Sequence, residues 1–533
     1  MTSISILNDV LGPVMRGPSS SHTAGAYRIG RVAQMLVDAP AQRIRISFDP
    51  QGSYAATCQA MGVDAAFAAA FLGWQMTDDR YPQAAETIAA RGMELCFAVE
   101  PLEDNTHPNT VRLAVVTQDG GTHVVWARSI GGGMVDVYRC DEGECRIDGK
   151  SYVLLVRAES ACAAEVCRGV TEQLSAASGA ACQVALQPAH EHSGTVLAQW
   201  NCCEPVSPEL RQALRSRRGV LDVRYVLPLM YVPKEPSPFT SAREMLALAA
   251  GKDCSLGKTG CAYESCVLGI PEEDVVAEML RRYEVMRAAV ARGLDDSRVS
   301  MPLLPPAAAR LWRAEQEGRL AHGGMLARAV ARGLAALHVC NSQGVVCAAP
   351  TGGSSGVLPG VLVTLADERK LTGQHLARAL FAAGAVGLVV AQRATFAAEE
   401  AGCQVEIGVA GAMAAAAVVE LAGGAAGQAA GAASIALQNT MGMVCDPVGG
   451  GCEIPCHTRT AAAIAQAFVC ADLVLSGYVN PISLDDAVDA SYAAGRALPP
   501  ELRCTALGGV AATPSAKALV ERCARHRGSA NRP

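Results

Sequence analysis

Aromatic residues are scarce in this chain. Phe, Trp and Tyr make up 4% of 533 residues, and charged side chains only 18%, yet half of the chain is hydrophobic. Small residues, chiefly Ala and Gly, therefore carry much of the apolar count, which predicts helices that pack with close backbones. That hydrophobic content excludes global disorder, and the length predicts roughly three or four domains. A basic excess is missing as well. The net charge of −6 and pI of about 6.0 exclude a nucleic-acid footprint or a polybasic membrane surface. The first residues, MTSISILNDVLGPVMRG, have no basic start and no long apolar run, and they carry Asp9, so no secretory signal is expected. The apolar run at 381–391 is too short to span a bilayer. Residues 408–437 are long enough but are interrupted by Glu420 and Gln428, and buried helices are expected there.

Cysteine is abundant. Its count of 21 is odd, and with no secretory signal this predicts a reducing cytoplasm and thiols that mostly act as small buried hydrophobes. Residues 43–49 (RIRISFD), 111–116 and 123–129 alternate with period two and predict strands, while the Ala-rich 61–72 predicts a helix. This opening unit reads as α+β, with a backbone feature at Gly131-Gly132-Gly133. Strands at 152–157, 182–187, 195–200 and 220–227, with helices at 162–178 and 207–217, give the order β-α-β-β-α-β. That order is ferredoxin-like and resembles the ACT module, which commonly binds small amino acids. The Pro-rich VPKEPSPFTS at 232–241 is the best linker, and the pattern beyond it is helical. The fold class expected is therefore multidomain: an α+β N-terminal domain over 1–148, a ferredoxin-like (ACT-like) α+β middle domain over 149–232, and an all-α C-terminal catalytic domain over 238–533.

Two motifs are decoys. GKDCSLGKT at 251–259 has five residues between its glycines where a phosphate loop has four, and no strand precedes it. PTGGSSG at 350–356 has no partner lysine for pyridoxal phosphate and reads as a loop whose backbone approaches a small molecule. The C-x4-C pairs Cys140/Cys145, Cys162/Cys167 and Cys261/Cys266 lack companions that would complete a zinc site. Cys403, Cys445, Cys452 and Cys456 differ, since each adjoins a Gly- or Pro-rich turn able to curl around a metal group. Thiolates suit zinc and iron–sulfur clusters alike, and spacing alone leaves the metal open, with buried thiols as the alternative. The other polar cluster is PSSSHT at 18–23, where hydroxyls can bind a carboxylate and His22 can move a proton. The same residues suit a helix N-cap, and a helix N-terminus is itself an anion site.

At this point the chain resembles the iron–sulfur-dependent L-serine dehydratases. The resemblance lies in NDVLGPVMRGPSSSHTAGAYRIG at 8–30, HPNTVRL at 107–113, ARSIGGGMVDV at 127–137, APTGGSSGVLPGV at 349–361, EAGCQVEIGVAGAMAAAA at 400–417, QNTMGMVCDPVGGGCEIPC at 438–456 and LGGVAATPSAKAL at 507–519. It covers nearly the whole chain, as a β part, an ACT-like module and an α part in one polypeptide. The resemblance implies a [4Fe–4S] cluster held by three cysteines spaced C-x41-C-x10-C, the spacing of Cys403, Cys445 and Cys456. Cys452 then stands outside the ligand set. One iron stays open to polarise the β-hydroxyl of an amino acid while a base takes the α-proton, giving pyruvate and ammonia. His22, Ser20 and Ser21 are the expected catalytic residues, and Ser19, Thr23, Thr351, Gly352, Gly353, Ser354 and Ser355 the expected substrate-binding ones. The expected partner is a small-molecule amino acid in a cytoplasmic homodimer, with no nucleic acid or membrane.

Three positions depart from the family pattern. Met61 stands where the family has a histidine, Gly352 where it has asparagine in the loop, and Thr460 where asparagine is usual after the last ligand. A thioether cannot act as a general base, so either His22 takes the role or the chemistry has changed. Substrate recognition is expected to have shifted while the cofactor is kept. The rival readings are elimination of another leaving group, such as sulfide from cysteine, and a non-catalytic amino-acid-binding or redox-sensing homologue.

Overall fold

A computed structural model describes residues 3–141, 143–178, 183–189 and 194–530, with the side chains of 176–193 and 526–530 excluded. The expectation for Cys182, at the start of a strand, lies outside the described residues.

Alternating strands build the N-terminal half. β1 (Val14–Arg16) is short; β2 (Ala41–Phe48), β3 (Glu94–Val99), β4 (Thr110–Thr117), β5 (Thr122–Ser129), β6 (Val135–Cys140) and β7 (Gly143–Ile147) form one sheet in the order β3-β2-β4-β5-β6-β7. Only β2 and β3 pair in parallel. Ile44, Ile46 and Phe48 of β2 are buried, as their alternation predicts. Helices Gly25–Val37 and Val63–Phe71 pack against each other and bury most of their residues over this half. The second sheet takes the order β11-β8-β10-β9, with β8 (Tyr152–Glu159), β9 (Gln183–Ala189), β10 (Thr195–Cys202) and β11 (Val220–Val226). Helices Ser160–Ser178 and Pro208–Arg215 are its crossovers, and its small core centres on Trp200.

Beyond residue 241 the chain is helical apart from β12 (Val345–Cys347), which pairs antiparallel with β1 in the register Val14↔Cys347. The C-terminal part is thus not purely helical: it lends one strand to the N-terminal segment. Ala-rich Ile407–Leu421 is its axis, buried from Ile407 to Val419, with Gly373–Arg393, Ala426–Gln438 and Cys456–Leu475 around it. Methyl-sized side chains let these helices sit close, which accounts for the low aromatic content.

Among the described residues, three helical stretches, Gly373–Arg393, Cys403–Leu421 and Cys456–Leu475, are long and apolar enough to cross a membrane. The first therefore extends well beyond the apolar run at 381–391. The apolar windows of the first two are 78% and 83% buried inside the protein, that of the third 39%.

Buried charges lock the N-terminal segment into the helical half. Glu264 accepts from Ser5 Oγ at 2.5 Å, Ile6 N at 2.6 Å and Leu7 N at 2.9 Å. Arg282 donates to the carbonyls of Leu11 at 2.6 Å and Leu7 at 3.0 Å. Lys150 pairs with Asp9 at 2.5 Å. Hydrogen-bonded and paired charges of this kind tolerate burial. They hold the segment that leads directly into residues 18–23.

Candidate active site

Thiols form one wall of the site. Cys403 opens a short 3-10 turn ahead of Ile407–Leu421, and Cys456 is the first residue of Cys456–Leu475. Both lie where helix N-termini favour negative charge. Cys445 is fixed by a backbone bridge to the C-terminal region: its N–H donates to Leu502 O at 2.8 Å, and Cys504 N–H donates to Cys445 O at 2.9 Å. Ligand atoms of Cys403, Glu406 and Cys445 all lie within 4.8 Å of one another, the one such metal-capable group among the described residues. Cys456 is not in that tight group; its thiol lies against Cys452. Contact with the Cys403 and Cys504 thiols, together with burial, pushes Cys445 well up. Arg459 faces the same place. Burial works against its charge, but Cys403, Asp446 and Cys456 hold it protonated, and it pairs with Asp446 at 2.9 Å. A thiol-rich, buried donor set beside helix N-termini and an arginine suits an anionic group made of soft metal and sulfur.

Hydroxyls, an imidazole and a carboxylate form the other wall. Ser19 caps the turn Ser20–Ala24 by accepting from His22 N at 3.1 Å, so the capping reading of PSSSHT holds. The His22 side chain is completely buried. Its Nδ1 lies 2.9 Å from Ser21 Oγ, and its Nε2 lies 3.0 Å from Ser53 Oγ. Burial pulls the His22 pKa below its ordinary 6.5, partly offset by Glu399, whose Oε1 lies 3.3 Å from Nδ1. Ser21 Oγ donates to that same oxygen at 2.6 Å. Thr23 is engaged elsewhere: its hydroxyl donates to the Met61 carbonyl at 2.8 Å, and Met61 itself is a buried core residue.

The loop Thr351–Ser355 joins the two walls. Ser354 Oγ is satisfied within the loop, donating to Ala349 O at 3.1 Å. A Cβ at Gly352 would meet Pro18 O and Ser20 N at 3.0 Å, so glycine lets the loop press directly on the serine turn. Glu406 carries a hydrogen bond to Thr351, but burial, then Cys403 and Glu399, push its carboxyl well above the usual range. Thr460 packs under Gly356. Ser20 Oγ, Thr460 Oγ1 and Glu399 Oε2 are buried with no hydrogen-bond partner among the described residues. An orphaned buried polar group costs about 1–3 kcal/mol, so each of these atoms is a candidate to bond a ligand atom. An open cleft of about 770 Å³, lined by Pro18, Phe97, Asn341, Gly451 and Cys452 among others, leads from the surface to this region.

Sequence reasoning missed Ser53, Glu399, Glu406 and Cys504. Glu399 sits beside His22 although 377 positions separate them in the chain, and no local pattern signals such a contact. Glu406 lies three residues past Cys403, so its place beside that thiol could have been noticed.

Residues 164–511, more than half of the chain, match the family model described as "Serine dehydratase alpha chain". The probable L-serine dehydratase alpha chain of Bacillus subtilis (strain 168) is 37% identical over 281 residues, covering 53% of this chain and 94% of that one. The probable beta chain of the same organism is 38% identical over 148 residues, covering 28% of this chain and 66% of its own length. The L-serine dehydratase alpha chain of Peptoniphilus asaccharolyticus is 36% identical over 241 residues, covering 45% of this chain and 82% of that one. One chain therefore resembles two separate relatives, and its thiol wall and its loops lie within the matched residues: this chain belongs to the L-serine dehydratase family of lyases.

Proposed function

We propose that the protein eliminates water from L-serine or a related β-substituted amino acid, giving a pyruvate-type 2-oxo acid and ammonia. The observation that carries this reading is the meeting of the two walls, buried thiols on one side and orphaned polar groups with a histidine on the other. Cys403, Cys445 and Cys456 would hold a [4Fe–4S] cluster. When bound by three thiolates, that cluster supplies Lewis-acid activation of the substrate hydroxyl at its remaining iron. Ser19, Ser20 and Ser21, with the loop Thr351, Gly352, Gly353, Ser354 and Ser355, bind the substrate carboxylate through hydroxyl and backbone donors. Thr23 contributes by fixing the turn. His22 stays neutral through burial and accepts the α-proton charge. The tight contact at Gly352 holds the loop directly against the serine turn.

In the same reading, residues 1–148 form a β-like domain, 149–232 an ACT-like domain and 238–533 an α-like cluster-binding domain. The strand order β11-β8-β10-β9 supports the middle assignment. The protein acts in the cytoplasm as a homodimer. The test is an anaerobic assay of iron-loaded protein against β-substituted amino acids. Pyruvate and ammonia from serine are expected. An iron-replete protein that releases neither from any member of the panel contradicts the proposal.

A further inference from the structure

Two glutamates stand side by side on the one-turn helix Ala398–Ala401 and serve different neighbours. Glu400 faces the seam between the two halves of the chain. Its Oε1 lies 3.1 Å from His107 Nε2, and its carbonyl accepts from Arg503 Nη1 at 3.2 Å. Glu399 faces the serine turn. Its Oε1 accepts from Ser21 Oγ at 2.6 Å, while its Oε2 meets no donor among the described residues. The segment entering this helix is braced by Gly131, where a Cβ would meet Ala397 N at 2.5 Å and Phe396 C at 2.7 Å. Gly131 adopts a φ of +92°, a region that glycine favours. The GGG loop of the N-terminal sheet thus buttresses the segment that carries Glu399.

Glu399 is only 4% exposed. Among the described residues no Lys or Arg pairs with it, and the ion pair it forms is with His22. Burial pulls the His22 pKa below its ordinary 6.5, so that ring supplies no charge at pH 7. The other titratable groups around it are Tyr54, Glu406 and Cys504, none of them a cation. A buried carboxylate without a counter-charge is costly. A cation brought in from outside relieves that cost, and an ammonium N–H suits the unfilled Oε2.

The neighbourhood has space for such a group. A Cβ at Gly353 would meet nothing closer than Cys452 Sγ at 3.8 Å, then Glu406 Oε2 and Thr351 Oγ1 at 4.0 Å. The inner side of the loop is therefore not packed shut, and Cys452 also lines the open cleft. Glu406 is near enough to Glu399 for the two carboxyl groups to repel. Ser20, next in the chain to Ser21, has a buried hydroxyl with no partner among the described residues. A hydroxyl can donate, whereas a carboxylate only accepts. These two unfilled atoms match the two ends of an α-amino acid, Ser20 for its carboxylate and Glu399 for its nitrogen.

We propose that Glu399 Oε2 binds the α-ammonium group of the amino-acid substrate. The proposal rests on the elimination reading above and adds the group that selects α-amino acids over acids without nitrogen. Ser21 fixes the carboxylate through Oε1, which leaves Oε2 as the acceptor. An acid that lacks the nitrogen leaves Glu399 buried and unpaired, and so it binds weakly.

The test uses L-alanine and propanoate, which differ only in the α-ammonium group and carry no leaving group. Each is titrated calorimetrically into anaerobic iron-loaded protein. The wild type is expected to bind L-alanine about 10²-fold more tightly than propanoate. E399Q, nearly the same shape, should lose most of that preference through weaker L-alanine binding. E399D, which keeps the charge, should retain the preference at reduced size and serves if E399Q does not fold. In turnover, E399Q should raise KM for L-serine about 10²-fold, a larger change than in kcat. The proposal is overturned if the wild type binds the two ligands equally or takes up no L-alanine, or if E399Q keeps the full preference. Pyruvate from serine in a protein whose ligand preference ignores Glu399 removes the ammonium site and leaves the elimination reading standing. A preference that depends on Glu399 in a protein that converts no β-substituted amino acid ends the elimination reading and leaves the ammonium site standing.

Discussion

The two walls of the site are built in opposite ways. The thiol wall comes from one half of the chain, with Cys403 and Cys456 at helix starts and Cys445 between them. The hydroxyl wall draws on distant segments: Ser21 and His22 near the N-terminus, Ser53 after β2, and Glu399 from the helical half. A wall fixed by helix ends and turns keeps its spacing in sequence. A wall fixed by long-range contacts depends on the domains being docked. The first should therefore govern cofactor content and the second turnover, and the two should be separable by mutation.

The largest effects should come from breaking the thiol wall. Cys403→Ser, Cys445→Ser and Cys456→Ser should each remove the brown colour expected of the anaerobic protein and abolish activity, read by visible absorbance and iron content, with the far-UV circular dichroism retained. His22→Ala should lower kcat by roughly 10²–10⁴-fold with iron content unchanged. Loss of iron in that variant would break the separation between the walls. Gly352→Asn places a side chain where even a Cβ meets Pro18 O and Ser20 N at 3.0 Å, so the walls must part. KM should rise about tenfold, a cost near 1.4 kcal/mol.

That contrast also explains what the sequence revealed. The strands at 43–49 and 111–116 were legible because mainly one face of each is buried, giving an alternation close to period two. The β-α-β-β-α-β order was legible from short apolar runs such as 152–157 set between stretches of helical period. Strands β3, β6, β7 and β12 were not: β12 has three residues, and β3 is half exposed and lacks a clear alternation. Cys403, Cys445 and Cys456 could be named as expected ligands through the family resemblance, because spacing alone leaves the metal open. Ser53 and Glu399 could not, because GSYAAT and AAEEAG read as ordinary helix starts until the fold brings them to His22. Met61, a departure expected on the substrate side, is a core side chain whose carbonyl holds Thr23.

Smaller effects sharpen the comparison further. Near the thiol wall, burial holds His338 down at about 4 and His457 down at about 3, and the two rings lie 5.0 Å apart. Both are neutral when folded and take up protons on unfolding below their ordinary value of 6.5. The unfolded state then binds more protons, so their contribution to stability is present above pH 6.5 and is lost as pH falls toward 4. Thermal melts should shift downward between pH 7 and pH 4.5, and His338→Asn should flatten that slope. The smallest effects should come from Cys452→Ser, which should keep its iron, and Thr23→Ala. The latter should cost about 1 kcal/mol of stability for the lost bond to Met61, read by urea melts, with kcat unchanged.

The central claim is that three thiolates leave one iron of a cluster for the substrate. The most direct measurement is the 57Fe Mössbauer spectrum of anaerobic protein with and without L-serine. A cluster in which a single iron changes its signal when serine is added agrees with the account. A protein without inorganic sulfide, or a cluster whose irons all ignore serine, contradicts it.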